Sequence, residues 1–162
     1  MKKIICILFS VTMFFITACS DGSKESLPSS IAKEQATTIL DTLKTGETEE
    51  LKSLFCEDIQ NTHDLDKEIA DAIEFIDGTV IDDGTWWGMS EGGKSVRDGI
   101  VTELHIDPGI DNIITNKQKS YSLFFHTNII CVEDEGKVGM TYLIITNENK
   151  EEFLIGESLF GK

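Results

Sequence analysis

Apolar residues recur along this chain with three rhythms. The first is continuous: residues 4–16 are apolar except at Ser10 and Thr12. The second has the helical period, in which apolar positions three and four apart line one stripe. Ile31, Ala32, Ala36, Ile39, Leu40 and Leu43 form such a stripe and predict a helix over residues 30–44. Ser29 or Ser30 can cap its start, and Gly46 supplies its stop. A shorter helix is expected over residues 48–56, with Glu49 and Glu50 complementing the dipole of its first turn. Leu51, Leu54 and Phe55 make its buried edge. Leu65, Ile69, Ala72, Ile73 and Ile76 mark a third helix that starts near Asp64 or Asp66 and ends at Asp77, before Gly78.

The third rhythm has a period of two and begins at Thr79. It predicts strands over residues 79–83, continuing toward Trp87, and over 96–106, 120–132, 137–146 and 152–159. The glycine-rich stretch 88–94 suits a loose hairpin. Asp107-Pro108-Gly109 reads as a turn, as do residues 133–136 and 147–149. Helices followed by strands with short links describe an α+β class. The expected architecture is three N-terminal helices packed on a curved antiparallel sheet of about five strands.

Strand residues alternate between faces, so each strand has a core set. In residues 120–132 the odd positions Tyr121, Leu123, Phe125, Thr127, Ile129 and Cys131 are the more evenly apolar and belong against the helices. Ile100, Thr102, Leu104 and Ile106 make the corresponding set one strand earlier. Val138, Met140, Tyr142 and Ile144 make it one strand later. The opposite face then carries Phe124, Ile130, Val132, Leu143 and Ile145, an apolar patch suited to a homodimer. Trp86 and Trp87 are adjacent and point to opposite faces, one into the core and one toward a pocket mouth or partner.

The N-terminal run changes the picture most. Thirteen residues rise roughly 20 Å as a helix, short of the ~30 Å hydrocarbon core. With Lys2 and Lys3 before it, the run reads as a signal peptide and not as a permanent span. Ile16-Thr17-Ala18-Cys19 resembles the lipobox of bacterial lipoproteins: a branched apolar residue, two small residues and a cysteine. That resemblance implies cleavage between Ala18 and Cys19 and a diacylglyceryl group on the Cys19 thiol. The chain then divides into a signal peptide at 1–18, a lipidated flexible tether at 19–29 and one domain at 30–162. Its place would be the outer face of the cell membrane, held by acyl chains.

Removal of the signal leaves 12 basic against 29 acidic groups, a net charge near −17. So acidic a body is repelled by nucleic acid and by anionic lipid head groups, which excludes nucleic acid as a partner and leaves the hold on the membrane to the acyl chains. Cys56 and Cys131 remain in the domain; two separate core thiols are the preferred reading, and a bridge between them is the other.

Catalytic motifs are few. Gly88-Met89-Ser90-Glu91-Gly92 matches G-x-S-x-G, but the nucleophile elbow needs a strand-to-helix turn and a strand pattern follows here. His63, His105 and His126 show no metal-binding spacing, and His105 and His126 fall on the less apolar sheet face, with Glu103 beside His105. The acidic clusters Asp82-Asp83, Asp107 with Asp111, and Glu133 to Glu135 lack the shaped calcium loop. No catalytic residue, metal or cofactor is therefore assigned.

Phe75-Ile76-Asp77-Gly78 after an amphipathic helix, then a polar glycine-rich hairpin, resembles a domain-of-unknown-function family of small Gram-positive lipoproteins. The acidic helix Glu49-Glu50-Leu51-Lys52-Ser53-Leu54-Phe55 and the order of elements over residues 30–160 fit the same family. The resemblance implies a nuclear-transport-factor-like (cystatin-like) cone, in which a curved sheet wraps a long helix around a pocket. It implies no established activity, and that fold hosts many functions. The expectation is a non-catalytic binder of a small ligand or protein, with Tyr121, Phe125, Tyr142 and Trp86 lining the pocket. The alternatives are a small hydrolase or isomerase, and an immunity or inhibitor lipoprotein whose acidic surface steers a basic partner.

Overall fold

The computed structural model describes residues 26–89 and 91–157. Four helices come first: α1 (Leu27–Thr45), α2 (Glu49–Leu54), α3 (Glu57–Thr62) and α4 (Leu65–Phe75). Eight strands follow: β1 (Val80–Asp82), β2 (Thr85–Trp87), β3 (Glu91–Arg97), β4 (Ile100–Ile106), β5 (Gly109–Thr115), β6 (Ser120–Cys131), β7 (Gly139–Asn147) and β8 (Glu152–Gly156). All pair antiparallel in one open sheet.

Helix α1 begins three residues earlier than its apolar stripe suggests. Ser26 caps it by accepting from the Ser29 N–H, and Pro28 sits in the first turn, where its missing N–H costs nothing. Gly46 closes the helix in the left-handed conformation, its N–H donating to the Thr42 carbonyl at 2.8 Å. Helix α4 is capped by Asp64, which accepts from the Lys67 N–H. The fourth helix, α3, corrects the expected three. It is six residues long, too short to show a repeating stripe.

The sheet is organised by β6. One of its edges pairs with β7, and β8 lies beyond. The other edge is shared by β5 and β4 in succession. Two corrections to the expected strands follow. Asp107-Pro108 bends the chain without reversing it, because the Phe125 N–H still donates to the Pro108 carbonyl at 3.1 Å. The ladder against β6 thus runs on through a residue that has no N–H of its own to offer. The reversal lies instead at Asp98-Gly99, both with positive φ (53° and 80°). That is the two-residue turn whose twist suits a hairpin, and it divides the expected strand 96–106 into β3 and β4.

The helices cover one face. Ile39 and Leu40 of α1, Leu51 of α2, Ile59 of α3, and Leu65, Ile69 and Ala72 of α4 pack with Ile110, Ile113, Leu123, Phe125, Leu143, Ile145 and Ile155 of the sheet. One polar pair is enclosed there: the Thr127 hydroxyl donates to Gln35 Oε1 at 2.9 Å. The carboxylate of Glu68 ties α4 to the sheet by accepting from the Gly156 N–H at 2.9 Å.

The face assignment of β7 needs correction. His126 pairs with Tyr142, but the next residue, Thr127, pairs with Met140, so Thr141 is an extra residue in β7. A bulge of this kind reverses the facing of everything beyond it. Met140, Leu143 and Ile145 therefore enter the helix-side core, while Tyr142 and Ile144 turn to the other face. Leu143 and Ile145, expected in an outer apolar patch, are fully buried. Ile100, expected in the core, is 66% exposed beside the Asp98-Gly99 turn.

Candidate functional site

The face away from the helices carries the chemistry. Trp87 stacks on Phe124 with ring centroids 5.8 Å apart and planes 11° from parallel. Phe124 meets Tyr142 at 6.0 Å, and Tyr142 stacks on His126 at 5.6 Å. His105 lies 4.9 Å from His126. Trp87 reaches this row because β2 pairs with β5, placing Trp87 opposite Gly109. A Cβ at Gly109 would lie 2.2 Å from the indole, so only glycine admits the ring so close.

Asp107, at the bend between β4 and β5, faces His126 across the ladder. Its Oδ1 lies 2.7 Å from His126 Nδ1, and its Oδ2 lies 3.5 Å from His105 Nε2. The other nitrogen of His126, Nε2, is 3.2 Å from Asn128 Oδ1. The Asn128 amide is oriented by its own N–H donation to the Lys137 carbonyl at 3.1 Å. His126 is nearly enclosed, at 6% exposed, whereas His105 and Asp107 are half-buried. Strand β3 closes the side: a Cβ at Gly92 would meet Asp107 Oδ2 at 2.3 Å, and one at Gly93 would meet the His105 ring at 2.4 Å. A cleft of about 340 Å³ opens beside the histidines, lined also by Glu103, Asn128, Glu133 and Lys137.

Tyr142 is fully buried below this group. Burial, reinforced by the Asp107 carboxylate, pushes its phenol up to about 12. A phenol held neutral in the folded state adds stability that is whole below the unfolded value of ~10 and fades as pH rises toward the folded one. Between those two pH values the wild type should lose on the order of 2 kcal/mol more than Tyr142→Phe. Urea unfolding of both proteins across that window checks it, and parallel curves would show the phenol to be no more shielded than a free one.

Of the four residues expected to line one pocket, the structure keeps Tyr121, Phe125 and Trp86 on the helix side and sets Tyr142 on the opposite face. Phe125 is fully buried. Trp86 packs partly buried against the core, and Trp87 takes the outer position. Tyr121 lines a separate cleft of about 250 Å³ with Phe75, Asp77 and Glu148, and its hydroxyl accepts from the Asp77 N–H at 2.8 Å. Ala18, Cys19 and Ser90 lie outside the described residues. Cys56 and Cys131 are separate free thiols. Sequence spacing missed the grouping of His105, Asp107 and His126 because two strands contribute to it. The alternation His105-x-Asp107 was the available signal, since it places both side chains on one strand face.

These features define an α+β domain with helices on one face of an antiparallel sheet and a histidine–aspartate–aromatic surface on the other. The chain belongs to the DUF5104 family, a domain of unknown function, whose family model matches residues 38–148. No curated protein matches the chain. Among the described residues, no helix is long and apolar enough to cross a membrane.

Proposed function

We propose that this chain is a lipid-anchored extracytoplasmic domain that binds a small ligand on the aromatic and histidine face of its sheet. The anchor reading rests on Ile16-Thr17-Ala18-Cys19 behind a short apolar run. The binding reading rests on one observation above all: Trp87, 41% exposed, is stacked on Phe124, and the ring row runs on through Tyr142 to the His126–Asp107 pair. An aromatic platform next to a few convergent polar groups is how small-molecule sites are generally built. Helices gathered on one side of a sheet bent by bulges also suit the nuclear-transport-factor-like cone, though the polar groups proposed to bind face away from the helices.

Native mass spectrometry of the chain taken from its own membranes tests both halves. The expected mass lacks residues 1–18, carries a diacylglyceryl group on Cys19, and includes a non-covalent small molecule that the Trp87→Ala/Phe124→Ala double variant loses. Retention of residues 1–18 sinks the anchor. A small molecule held equally by the double variant sinks the binding face.

The Asp107 carboxylate beside the half-buried His105 favours a second reading, a hydrolase or isomerase with His105 as the base. It predicts that His105→Gln abolishes turnover of the bound molecule while leaving it bound.

A further inference from the structure

The geometry points to a divalent transition-metal site of the zinc class, formed by His105 Nε2, Asp107 and His126 Nδ1. The inference goes beyond the tethered-binder reading and does not rest on it.

The first argument is the pattern of donors and acceptors around His126. Asn128 gives its N–H to the Lys137 carbonyl, which leaves Asn128 Oδ1 aimed at His126 Nε2. An amide oxygen can only accept, so Nε2 must carry a hydrogen. A neutral imidazole with its hydrogen on Nε2 presents a bare lone pair at Nδ1. That lone pair would face the Asp107 carboxylate oxygen at 2.7 Å, acceptor against acceptor. A positive centre is needed at that position: a second proton on the ring, or a metal ion bound by both atoms. Histidine ligands characteristically donate their other ring N–H to an oxygen that fixes the tautomer, which is the part Asn128 plays.

The second argument decides between proton and metal. A proton on His126 Nδ1 serves that ring and one Asp107 oxygen, and leaves His105 too far from the other oxygen for a good hydrogen bond. Yet His105 Nε2 lies 3.5 Å from Asp107 Oδ2, and the three donor atoms lie within 4.8 Å of one another. Ligand atoms at the corners of a tetrahedral zinc site with ~2.0–2.1 Å bonds stand about 3.3 Å apart. The contacts of the two Asp107 oxygens, 2.7 Å to His126 and 3.5 Å to His105, fall on either side of that value, so small side-chain rotations would close the set. Gly92 and Gly93 hold β3 against Asp107 and His105, leaving those side chains little room to turn away.

The third argument is charge. Two neutral imidazoles and one carboxylate suit zinc and its neighbours better than calcium or magnesium, which prefer oxygen alone. Glu103 and Glu133 on the adjoining cleft add a field that attracts a cation. Three protein ligands leave a fourth position for water or for an anionic group of a ligand.

The test uses the full chain in detergent, stripped with a chelator and titrated with zinc chloride by calorimetry. One ion per chain is expected. His105→Ala and His126→Ala should each weaken binding by about 100-fold or more, and Asn128→Ala by about 10- to 100-fold. His63→Ala, whose ring pairs with Glu68 away from the cleft, should bind as the wild type. Asp107→Asn preserves shape and serves as the ligand variant if an alanine variant fails to fold. Nitrogen-detected NMR of the wild type reads the site without any substitution: at saturating zinc, His126 should keep its Nε2 hydrogen and lose any at Nδ1. No saturable binding, unchanged affinity in correctly folded histidine variants, or two protonated nitrogens on His126 at saturation would each overturn the assignment.

Discussion

Phe125→Ala is expected to destabilise the domain by about 3–5 kcal/mol. Phe125 is fully buried near the middle of β6, the strand that pairs on both edges. Its backbone pairs with Leu143 on one side and donates its N–H to the Pro108 carbonyl on the other, so the chain at this position has little freedom to move. Truncation to alanine removes the ring from between the helices and the sheet, and a fixed backbone relaxes only partly into the space. The lost transfer free energy and the residual cavity then add. For a domain of this size the melting temperature should fall by about 10 °C or more. Urea unfolding followed by circular dichroism measures it, with the slope unchanged if only the folded state is affected. A loss below about 1 kcal/mol would mean that the ring borders open space, as a pocket wall would.

Gly84→Ala should cost about 3 kcal/mol, through the backbone and not through lost burial. Gly84 follows β1 with φ of +73°, a region that charges an L side chain about 1–2 kcal/mol. Its N–H donates to Asp82 Oδ1 at 3.0 Å, which holds the turn in that form. A Cβ there would lie 2.2 Å from the Asp111 carbonyl oxygen and 2.9 Å from the Ile113 nitrogen. Both are backbone atoms of β5, which cannot rotate aside as a side-chain tip can. Relief requires β1 and β2 to lift from β5, and Trp87 travels with β2. The variant should therefore show a shifted tryptophan emission together with the lower urea midpoint. Full stability with unchanged emission would mean that the β1–β2 turn is not seated on β5.

Much of the fold was legible locally. The stripes of α1 and α4, their stops, and the change of rhythm at Thr79 each lie within one turn or one strand of sequence, where spacing alone reports which face is buried. Asp98-Gly99 was equally readable as a hairpin turn, but the glycine run just before it drew the turn to the wrong place. Asp107-Pro108-Gly109 has turn composition, and it became a bend because β6 supplies partners on both sides of it. The facing of Tyr142 was not readable at all. It depends on one extra residue, Thr141, measured against the partner strand, and a register is a relation between two strands.

By itself the sequence determined the α+β class, the helix-side core of α1, α4 and β6, and the acidity of the body, because these follow from periodicity and composition along a single segment. Only the tertiary structure decided that β4 and β5 lie end to end on β6, that Tyr142 is buried on the face away from the helices, and that His105, Asp107 and His126 converge. Those outcomes turn on bulges and pairings between segments far apart in the chain, where the energy lies in ladder hydrogen bonds and cross-strand contacts that no one strand encodes alone.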